Sequence, residues 1–395
     1  MSDATTPVIL AGCRTAIGKY LGGLAAFSAP KLGAVVIKEA IARSGIDAAA
    51  IDEVIMGHVL QGGTGQAPAR QAMIFAGVNG VVPAVTINKV CGSGLKAVML
   101  AAQSIRAGDN QVVVAGGMES MSNAAHYLHG IRGGVKIGNQ TMVDGMIHDG
   151  LWDVYGNVHM GNLAEYTAQK GNVTRQEQDE FSAGSQRKAA AAIEAGKFAA
   201  EIVGVEIAAK TGTTLFTQDE GPRKDTTAEG LAKLKPSFQK DGTVTAGNAS
   251  TLNDGASAVV VASLAYAKAH GLKPLAKVTG YATGGGEPKD LFFAPIFAVQ
   301  NLMKKAGTKI GDYSLIEANE AFASQCIVDG RGLNWDWDRV NVNGGAIALG
   351  HPIGASGTRV LVTLLHAMRD RKAATGLATL CLGGGNAVAL SVEAL

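Results

Sequence analysis

Three segments in the first part of the chain recur in its last part, in the same order and about 260 to 270 residues later. One such pair arises easily by chance, but three pairs in register do not. In one pair, each segment follows a helical stretch that ends near a glycine, Gly45 or Gly307. The chain is therefore predicted to contain two copies of one unit. The paired segments are 51–56 with 313–318, 93–95 with 356–358, and 113–117 with 379–384.

Strand-like and helix-like segments alternate within each copy. This rhythm is typical of an α/β layer, and it predicts a mostly parallel central sheet. The run 111–117 is apolar and glycine-rich, which indicates a strand covered on both faces. The strands predicted in the first 120 residues are 8–12, 53–60, 84–88 and 111–116, and the helices are 31–44, 66–76 and 93–107.

An insertion separates the parts of the first copy. We predict an N-terminal half made of residues 1–120 and 251–273, an inserted loop domain over 121–250, and a C-terminal half over 274–395. Residues 121–143 contain no acidic side chain but four basic or imidazole side chains, which suits either a solvated loop or a basic flap or subunit contact. Those four residues are His126, His129, Arg132 and Lys136.

Charge and cysteine usage exclude several classes of protein. The net charge of +2 is nearly neutral, so we expect neither nucleic acid nor a membrane surface as a partner. The four cysteines lie far apart without metal-ligand spacing, which argues against a disulfide framework and a zinc site; no metal is expected. A strand-like segment begins near Pro7 and no apolar run reaches membrane-spanning length. These features predict a soluble cytoplasmic protein.

Cys91 lies where the apolar run 81–90 turns into the helical run 95–105. A thiol at a helix N-terminus feels the positive end of the helix dipole, so its pKa can fall below about 8.5. Cys91 is therefore a candidate nucleophile. A lone cysteine is more often a small buried apolar residue, so the catalytic interpretation of Cys91 depends on which other side chains are predicted to lie near it.

Three polar motifs in the second copy contain side chains that could act together with Cys91. Asn319, His351 and Cys381 lie in three such motifs, each at a predicted strand end or turn. If a pseudo-twofold relates the copies, these strand ends face one crevice. His351 could then take the proton of Cys91, whose thiolate would attack a thioester carbonyl while backbone N–H groups hold the oxyanion. Cys381 could move a proton at carbon. Taken singly, His351 and Cys381 are more often structural, and it is their combination that favours catalysis.

These motifs resemble those of the thiolase family, over essentially the whole chain, and most closely those of its acetoacetyl-CoA thiolases. The resemblance implies an α/β fold: a duplicated unit in a five-layered α-β-α-β-α core with an inserted loop domain. It implies the reversible Claisen condensation of two acetyl-CoA to acetoacetyl-CoA and CoA. The motifs are Cys91-Gly92-Ser93-Gly94, Gly116-Gly117-Met118-Glu119-Ser120-Met121-Ser122, Asn319-Glu320-Ala321-Phe322, Asn343-Gly344-Gly345-Ala346, Gly350-His351-Pro352-Ile353-Gly354 and Cys381-Leu382-Gly383-Gly384-Gly385.

The resemblance also implies a role for each catalytic residue. Cys91 would carry the acyl group, and His351 would activate it. Cys381 would remove a proton from the second acetyl-CoA, or protonate the departing carbanion in thiolysis. Asn319 would position a water that forms one oxyanion hole with His351, and the N–H groups of Cys91 and Gly383 would form the other.

Coenzyme A would lie against the inserted segment. No resident cofactor is implied, because the coenzyme A thioesters are substrates, and a homo-oligomer, dimer or tetramer, is the family habit. Some relatives bind potassium through a tyrosine near the position of Pro222, and no cation is assigned to this chain. The implied coenzyme A contacts are Leu151, His159, Met160, Arg223, Phe238, Ala246, Ser250, Ala321 and Phe322.

Two departures from the family pattern concern the acyl end of the site. In the first, residues 292–295 are Phe-Phe-Ala-Pro where many bacterial members have Gly-Thr-Gly-Pro, and Leu291 stands in place of a methionine. In the second, Asn386 stands where methionine, glutamine or glycine is common. The main alternative is therefore a 3-ketoacyl-CoA thiolase for longer chains. A decarboxylating ketosynthase would have histidine or asparagine at the position of Cys381. A dinucleotide oxidoreductase would need glycine at the position of Pro68. A non-catalytic acyl-CoA carrier would show no turnover.

Overall fold

The computed structural model describes residues 2–209 and 212–395. The strands are β1 (Pro7–Thr15), β2 (Gly18–Lys19), β3 (Glu53–Gly57), β4 (Ala84–Ile87), β5 (Val112–Ser120), β6 (His126–Tyr127), β7 (Val143–Asp144), β8 (Trp152–Asp153), β9 (Val158–His159), β10 (Ile202–Val203), β11 (Val205–Ala209), β12 (Gly212–Phe216), β13 (Asn253–Ser263), β14 (Ala276–Gly285), β15 (Leu315–Ala318), β16 (Thr375–Leu382) and β17 (Asn386–Ala394). The α-helices are α1 (Ala29–Ser44), α2 (Pro68–Phe75), α3 (Ser93–Ala107), α4 (Met160–Lys170), α5 (Arg175–Glu194), α6 (Ala228–Leu231), α7 (Leu264–Ala269), α8 (Ala294–Ala306), α9 (Ala323–Leu333), α10 (Ala346–Leu349) and α11 (Ile353–Arg371).

The main sheet is mixed, so the prediction of a mostly parallel sheet was wrong. Its strands lie in the order β15-β16-β17-β14-β1-β13-β5-β3-β4. The outer pairs β15/β16, β5/β3 and β3/β4 are parallel, whereas every neighbouring pair from β16 to β5 is antiparallel. Each copy begins with parallel strand-helix-strand units, which the sequence pattern detects, and then adds antiparallel return strands. The tight turn between β16 and β17 requires the antiparallel direction.

The secondary-structure elements form five layers. Helices α1 and α2 pack against one face of the first-half strands. Helices α3 and α11 lie in the middle and contribute to one apolar core with strands of both halves. Helix α8 covers the outer face of the second-half strands. Strands β1 and β14 join the two halves through two residue pairs, Val8 with Lys277 and Ile9 with Ala276. The predicted α-β-α-β-α core is confirmed.

The duplication predicted from the sequence is visible in equivalent elements. Strand β15 corresponds to β3, and β16 to β5, while α11 corresponds to α3. Helices α1 and α8 both end at a glycine in the left-handed region, with φ of 71° at Gly45 and 68° at Gly307. The strand predicted over 84–88 is observed as Ala84–Ile87, which pairs with β3. The start of the apolar run 81–90 lies outside this strand, and Val81 is 84% exposed.

The segment between β5 and β13 contains short hairpins, a π-helix (Ile147–Leu151) and the helices α4, α5 and α6. Three two-stranded sheets, β6/β7, β8/β9 and β11/β12, stand apart from the main sheet. Within residues 2–209 and 212–395, no helix is both long and apolar enough to cross a membrane.

Candidate active site

A cavity of about 670 Å³ is lined by residues of the first half, the second half and the inserted segment. Cys91, His351, Cys381 and Gly383 all line it. Asn319 is fully buried and does not line the cavity, but its side chain contacts His351. The structure therefore brings together the five residues that the sequence singled out.

Cys91 sits on a strained turn between β4 and α3. The preceding residue, Val90, has φ of 47°, a left-handed conformation that a β-branched residue rarely adopts. Ser93 fixes this turn, because its hydroxyl donates to the carbonyl of Val90 at 2.6 Å and accepts the N–H of Lys89 at 2.8 Å. Strain of this kind persists where the surrounding structure holds a functional side chain in place.

The Cys91 thiol is not acidified in the way its helix position suggests. Burial raises the pKa of Cys91 to about 12, and the charge of Glu119 adds to the rise. The backbone N–H groups of Cys91 and Gly383 face the sulfur and act in the opposite direction. The expected low pKa is therefore wrong for the free protein, since removal from water outweighs the dipole. The sulfur needs a base close by.

His351 has the protonation state that such a base requires. Its Nδ1 is 2.6 Å from the hydroxyl of Ser356, and that hydroxyl donates to the carbonyl of Pro352 at 2.9 Å. Because the hydroxyl proton is already used, we assign the imidazole proton to Nδ1, which leaves a lone pair on Nε2. Burial, together with the charge of Arg359, lowers the pKa of His351 to about 3, so the ring is neutral.

Asn319 follows β15 and lies beside this imidazole. Its Nδ2 is 3.4 Å from Nε2 of His351, a long contact. Its backbone is held on both sides: the N–H donates to the carbonyl of Thr379 at 3.0 Å, and the carbonyl accepts the thiol of Cys326 at 3.6 Å. The backbone at Asn319 is therefore fixed by the sheet and by α9.

Cys381 lies on β16 in an apolar cluster that includes Leu291, Phe292 and Phe322. The side chain is 1% exposed although it borders the cavity. Burial raises the pKa of Cys381 well above its usual value, and Cys91 adds to the rise when it is ionised. The second sulfur is thus a neutral thiol close to the first.

The two halves of the chain match the two domains of one known family. Residues 7–265 match "Thiolase, N-terminal domain", and residues 272–394 match "Thiolase, C-terminal domain". This chain belongs to the thiolase family. A protein of Pseudomonas aeruginosa named acetyl-CoA acetyltransferase is 56% identical over 386 residues, 98% of each chain. One of the same name from Escherichia coli is 53% identical over 389 residues, 98% of this chain and 99% of the relative.

A solved thiolase-family structure has the same fold. The crystal structure of the Bacillus anthracis acetyl-CoA acetyltransferase superposes with a TM-score of 0.97 at 41% sequence identity, and the match covers 100% of both chains. The resemblance inferred from the motifs is therefore confirmed at the level of family and fold.

The thiolase resemblance also predicts coenzyme A contacts, and the structure places all nine of those residues on the cavity wall. His159 stacks on Phe238 at 5.0 Å between ring centroids, and a Cβ at Gly161 would overlap the Phe238 ring. Nδ1 of His159 accepts the N–H of Gly161 at 3.0 Å, so Nε2 carries the proton. The nine residues are Leu151, His159, Met160, Arg223, Phe238, Ala246, Ser250, Ala321 and Phe322.

Of the two departures from the thiolase pattern, one reaches the cavity. Leu291 and its neighbour Phe292 line it, 1% and 2% exposed. Asn386 is not part of the wall; its Oδ1 instead accepts the ammonium of Lys89 at 3.4 Å. The structure thus places Leu291 on the cavity wall and Asn386 outside it, and which part of the cavity holds the acyl group stays a prediction.

Sequence reasoning missed Ser356, which orients His351. It lies five residues after the histidine, in the first turn of α11, and its spacing to His351 was the available signal. It also missed several cavity-lining residues that lie far apart in sequence, most of them outside the motifs quoted above. They are Lys19, Tyr20, Met121, Met146, Ile147, Gln186, Thr226, Leu231, Leu234, Ser237, Thr251, Leu252, Ile347 and Ile353.

The neutral, buried imidazole makes stability depend on pH. Between pH 6.5 and about 3, unfolded His351 binds a proton that the folded residue does not. The free energy of unfolding should therefore fall as pH falls through that window, by at most about 1.4 kcal/mol per pH unit from this residue. Urea unfolding at a series of pH values should show that the free energy of unfolding changes less steeply with pH in His351→Asn than in the wild type. The exposed His126→Asn is the control and should keep the wild-type slope; an unchanged slope in His351→Asn would contradict the assignment.

Proposed function

We propose that this member of the thiolase family is an acetyl-CoA C-acetyltransferase. It condenses two acetyl-CoA to acetoacetyl-CoA and CoA, or catalyses the reverse thiolysis, through an acyl group carried on Cys91. The observation that supports this most strongly is one cavity lined by two thiols and a neutral imidazole. The names of the relatives from Pseudomonas aeruginosa and Escherichia coli support the same reaction.

In the first half-reaction His351 is the base. Its Nε2 takes the proton from the sulfur of Cys91, and the sulfur attacks the carbonyl carbon of acetyl-CoA. The N–H groups of Cys91 and Gly383, which face this sulfur, hold the oxyanion. When the adduct collapses, the coenzyme A thiolate leaves and receives the proton from the imidazolium, and the acetyl group stays on Cys91.

In the second half-reaction Cys381 moves a proton at carbon. In synthesis Cys381 first gives its own proton to His351, and the thiolate so formed takes a proton from the methyl group of the second acetyl-CoA. The resulting carbanion attacks the acetyl group on Cys91, and the Cys91 sulfur leaves as a thiolate that recovers the proton from His351. In thiolysis the neutral thiol protonates that carbanion as the carbon–carbon bond breaks. The raised pKa of Cys381 favours the neutral form, which the thiolysis direction uses first. We assign Asn319, with His351 and a bound water, to the oxygen of the enolate.

Coenzyme A is proposed to contact the segment 121–250, with aromatic and apolar side chains against pantetheine and Arg223 near the nucleotide. The imidazole N–H of His159 suits a hydrogen bond to a carbonyl group in the cavity. The reaction balances without a resident cofactor, because the acetyl groups, the proton and the leaving thiol all belong to the coenzyme A thioesters. The four cysteines are free thiols, which suits the cytoplasmic location that we propose.

A homotetramer is proposed from the exposed apolar side chains. Ile137 is fully exposed, and Val154 and Tyr155 are 65% and 70% exposed, all in the inserted segment. Strand β4 forms an open edge of the main sheet, where Val85 is 39% exposed. Exposed apolar patches and open strand edges are typical of contacts between copies. Light scattering of the purified protein would measure the assembly.

The acyl-chain preference is proposed to depend on Phe292, which packs edge-on against Phe322 at 5.2 Å and lines the cavity beside Cys381. The substitution Phe292→Val should widen the acyl end and raise thiolysis of 3-ketooctanoyl-CoA relative to acetoacetyl-CoA by about 10-fold or more. Phe293→Val is the matched control, since Phe293 does not line the cavity. If the wild type already prefers the longer substrate, the protein is instead a 3-ketoacyl-CoA thiolase.

The function itself is tested by incubating the protein with acetoacetyl-CoA and CoA. Acetyl-CoA should form, and acetylated protein should be seen by mass spectrometry of the intact chain. A non-catalytic acyl-CoA carrier would bind the thioester without either result.

A further inference from the structure

Glu320 is a buried carboxylate next to Asn319, and it does not line the catalytic cavity. Only 2% of the residue is exposed. Its two oxygens accept three hydrogen bonds: from the hydroxyl of Ser185 at 2.6 Å, from Nδ2 of Asn341 at 2.8 Å and from the N–H of Ile347 at 3.2 Å. A buried carboxylate that accepts this many hydrogen bonds is held in one position.

The three donors tie the segment of Asn319 to the segment of His351. Ile347 lies in α10, whose last residue is separated from His351 only by Gly350. Asn341 also holds Ala318, since its amide group accepts the N–H and donates to the carbonyl of that residue, both at 2.8 Å. Glu320 therefore joins the end of β15 to the turn that carries the imidazole.

Ser185 and two glycines complete this junction. The hydroxyl of Ser185, on α5, accepts the N–H of Gly345 at 3.0 Å while it donates to Glu320. A Cβ at Gly345 would overlap the carboxylate of Glu320. Gly344 has φ of 79°, and a Cβ there would press against the backbone of Ser185. The backbone is thus packed directly onto the carboxylate.

We propose that Glu320 is a positioning residue for the reaction: its carboxylate sets the distance between Asn319 and His351. The proposal rests on the function proposed above. The contact between Nδ2 of Asn319 and Nε2 of His351 is already 3.4 Å, so a small shift of either segment would break it. Misplacement of a catalytic group by about 1 Å can cost about 100-fold in rate.

The test uses Glu320→Gln and Ser185→Ala in the full-length protein. The amide that Glu320→Gln introduces cannot accept from all three donors, and Ser185→Ala removes one donor while keeping the carboxylate. Ser182→Ala is the matched control, because this buried serine on the same helix donates to the carbonyl of Gln178, at 2.7 Å, and not to Glu320. For thiolysis, KM is measured, and kcat is expressed per active site that can be acetylated. The rate of Cys91 alkylation by iodoacetamide is measured at pH 7.

We expect Glu320→Gln to lower kcat by about 10- to 100-fold and to slow alkylation, with KM for acetoacetyl-CoA changed less than about 2-fold. Ser185→Ala should lower kcat by a smaller factor, and Ser182→Ala should match the wild type. A lower Tm with unchanged kcat per site and unchanged alkylation would overturn the proposal, because a structural role alone predicts that result. If Glu320→Gln does not fold, Ser185→Ala decides, and a kcat equal to that of Ser182→Ala overturns it. Absence of thiolysis in the wild type would instead overturn the proposed function.

Discussion

Cys91→Ala is expected to abolish acetyl-enzyme formation and to lower turnover by on the order of 10⁶-fold, the size of effect known for loss of a nucleophile. The reason is that the first half-reaction has no other acceptor for the acetyl group. Cys381 is a neutral thiol with a raised pKa, and the part that we propose for it is to move a proton. The effect should appear in kcat, because the cavity wall that we propose to bind coenzyme A remains.

The measurement is the thiolysis rate together with the intact mass after incubation with acetyl-CoA. Cys13→Ala is the matched control: Cys13 is also buried, and its thiol donates to the carbonyl of Val36 at 3.4 Å, outside the cavity. That variant should acetylate and turn over like the wild type. Acetylation of Cys91→Ala at the wild-type level would show that another residue carries the acyl group.

Cys381→Ala is expected to separate the two half-reactions. The variant should still take an acetyl group on Cys91, since His351 and both N–H donors are untouched. Condensation and thiolysis should fall by about 10²- to 10⁴-fold, the usual contribution of a group that transfers a proton in the transition state. Exchange of the acetyl group between acetyl-CoA and labelled CoA should persist.

Two further readouts test this separation. The methyl protons of acetyl-CoA should exchange with deuterated solvent in the wild type and much more slowly in Cys381→Ala. Loss of acetyl exchange together with condensation would contradict the separate roles. Normal condensation by the variant would contradict the assignment of Cys381 to proton transfer.

The sequence predicted which residues lie together because duplication constrains the fold. Once 313–318 is equated with 51–56, the polar motifs that follow strands of both copies must face one crevice, and Cys91, His351 and Cys381 do line one cavity. Glycines at helix ends, such as Gly45 and Gly307, fixed the boundaries of the repeated helices.

Other features depend on the complete three-dimensional packing. The pKa of Cys91 is raised by burial, which depends on residues far apart in sequence. The place of Cys91 at the N-terminus of a helix therefore does not predict the shift. The antiparallel centre of the sheet depends on where β13, β14 and β17 pair among the other strands, and the alternation of strand-like and helix-like segments does not specify those pairings. Glu320 acts through contacts with residues far along the chain, such as Ser185, so its sequence motif alone did not reveal those contacts.

The central claim is most directly tested by locating the acetyl group after incubation with acetyl-CoA. The wild-type protein and Cys381→Ala are each digested, and the modified peptide is identified by mass spectrometry. We expect the acetyl group on Cys91 in both proteins, with thiolysis at full rate only in the wild type. An acetyl group found on Cys381 of the wild type, or no acetylated peptide at all, would contradict the claim.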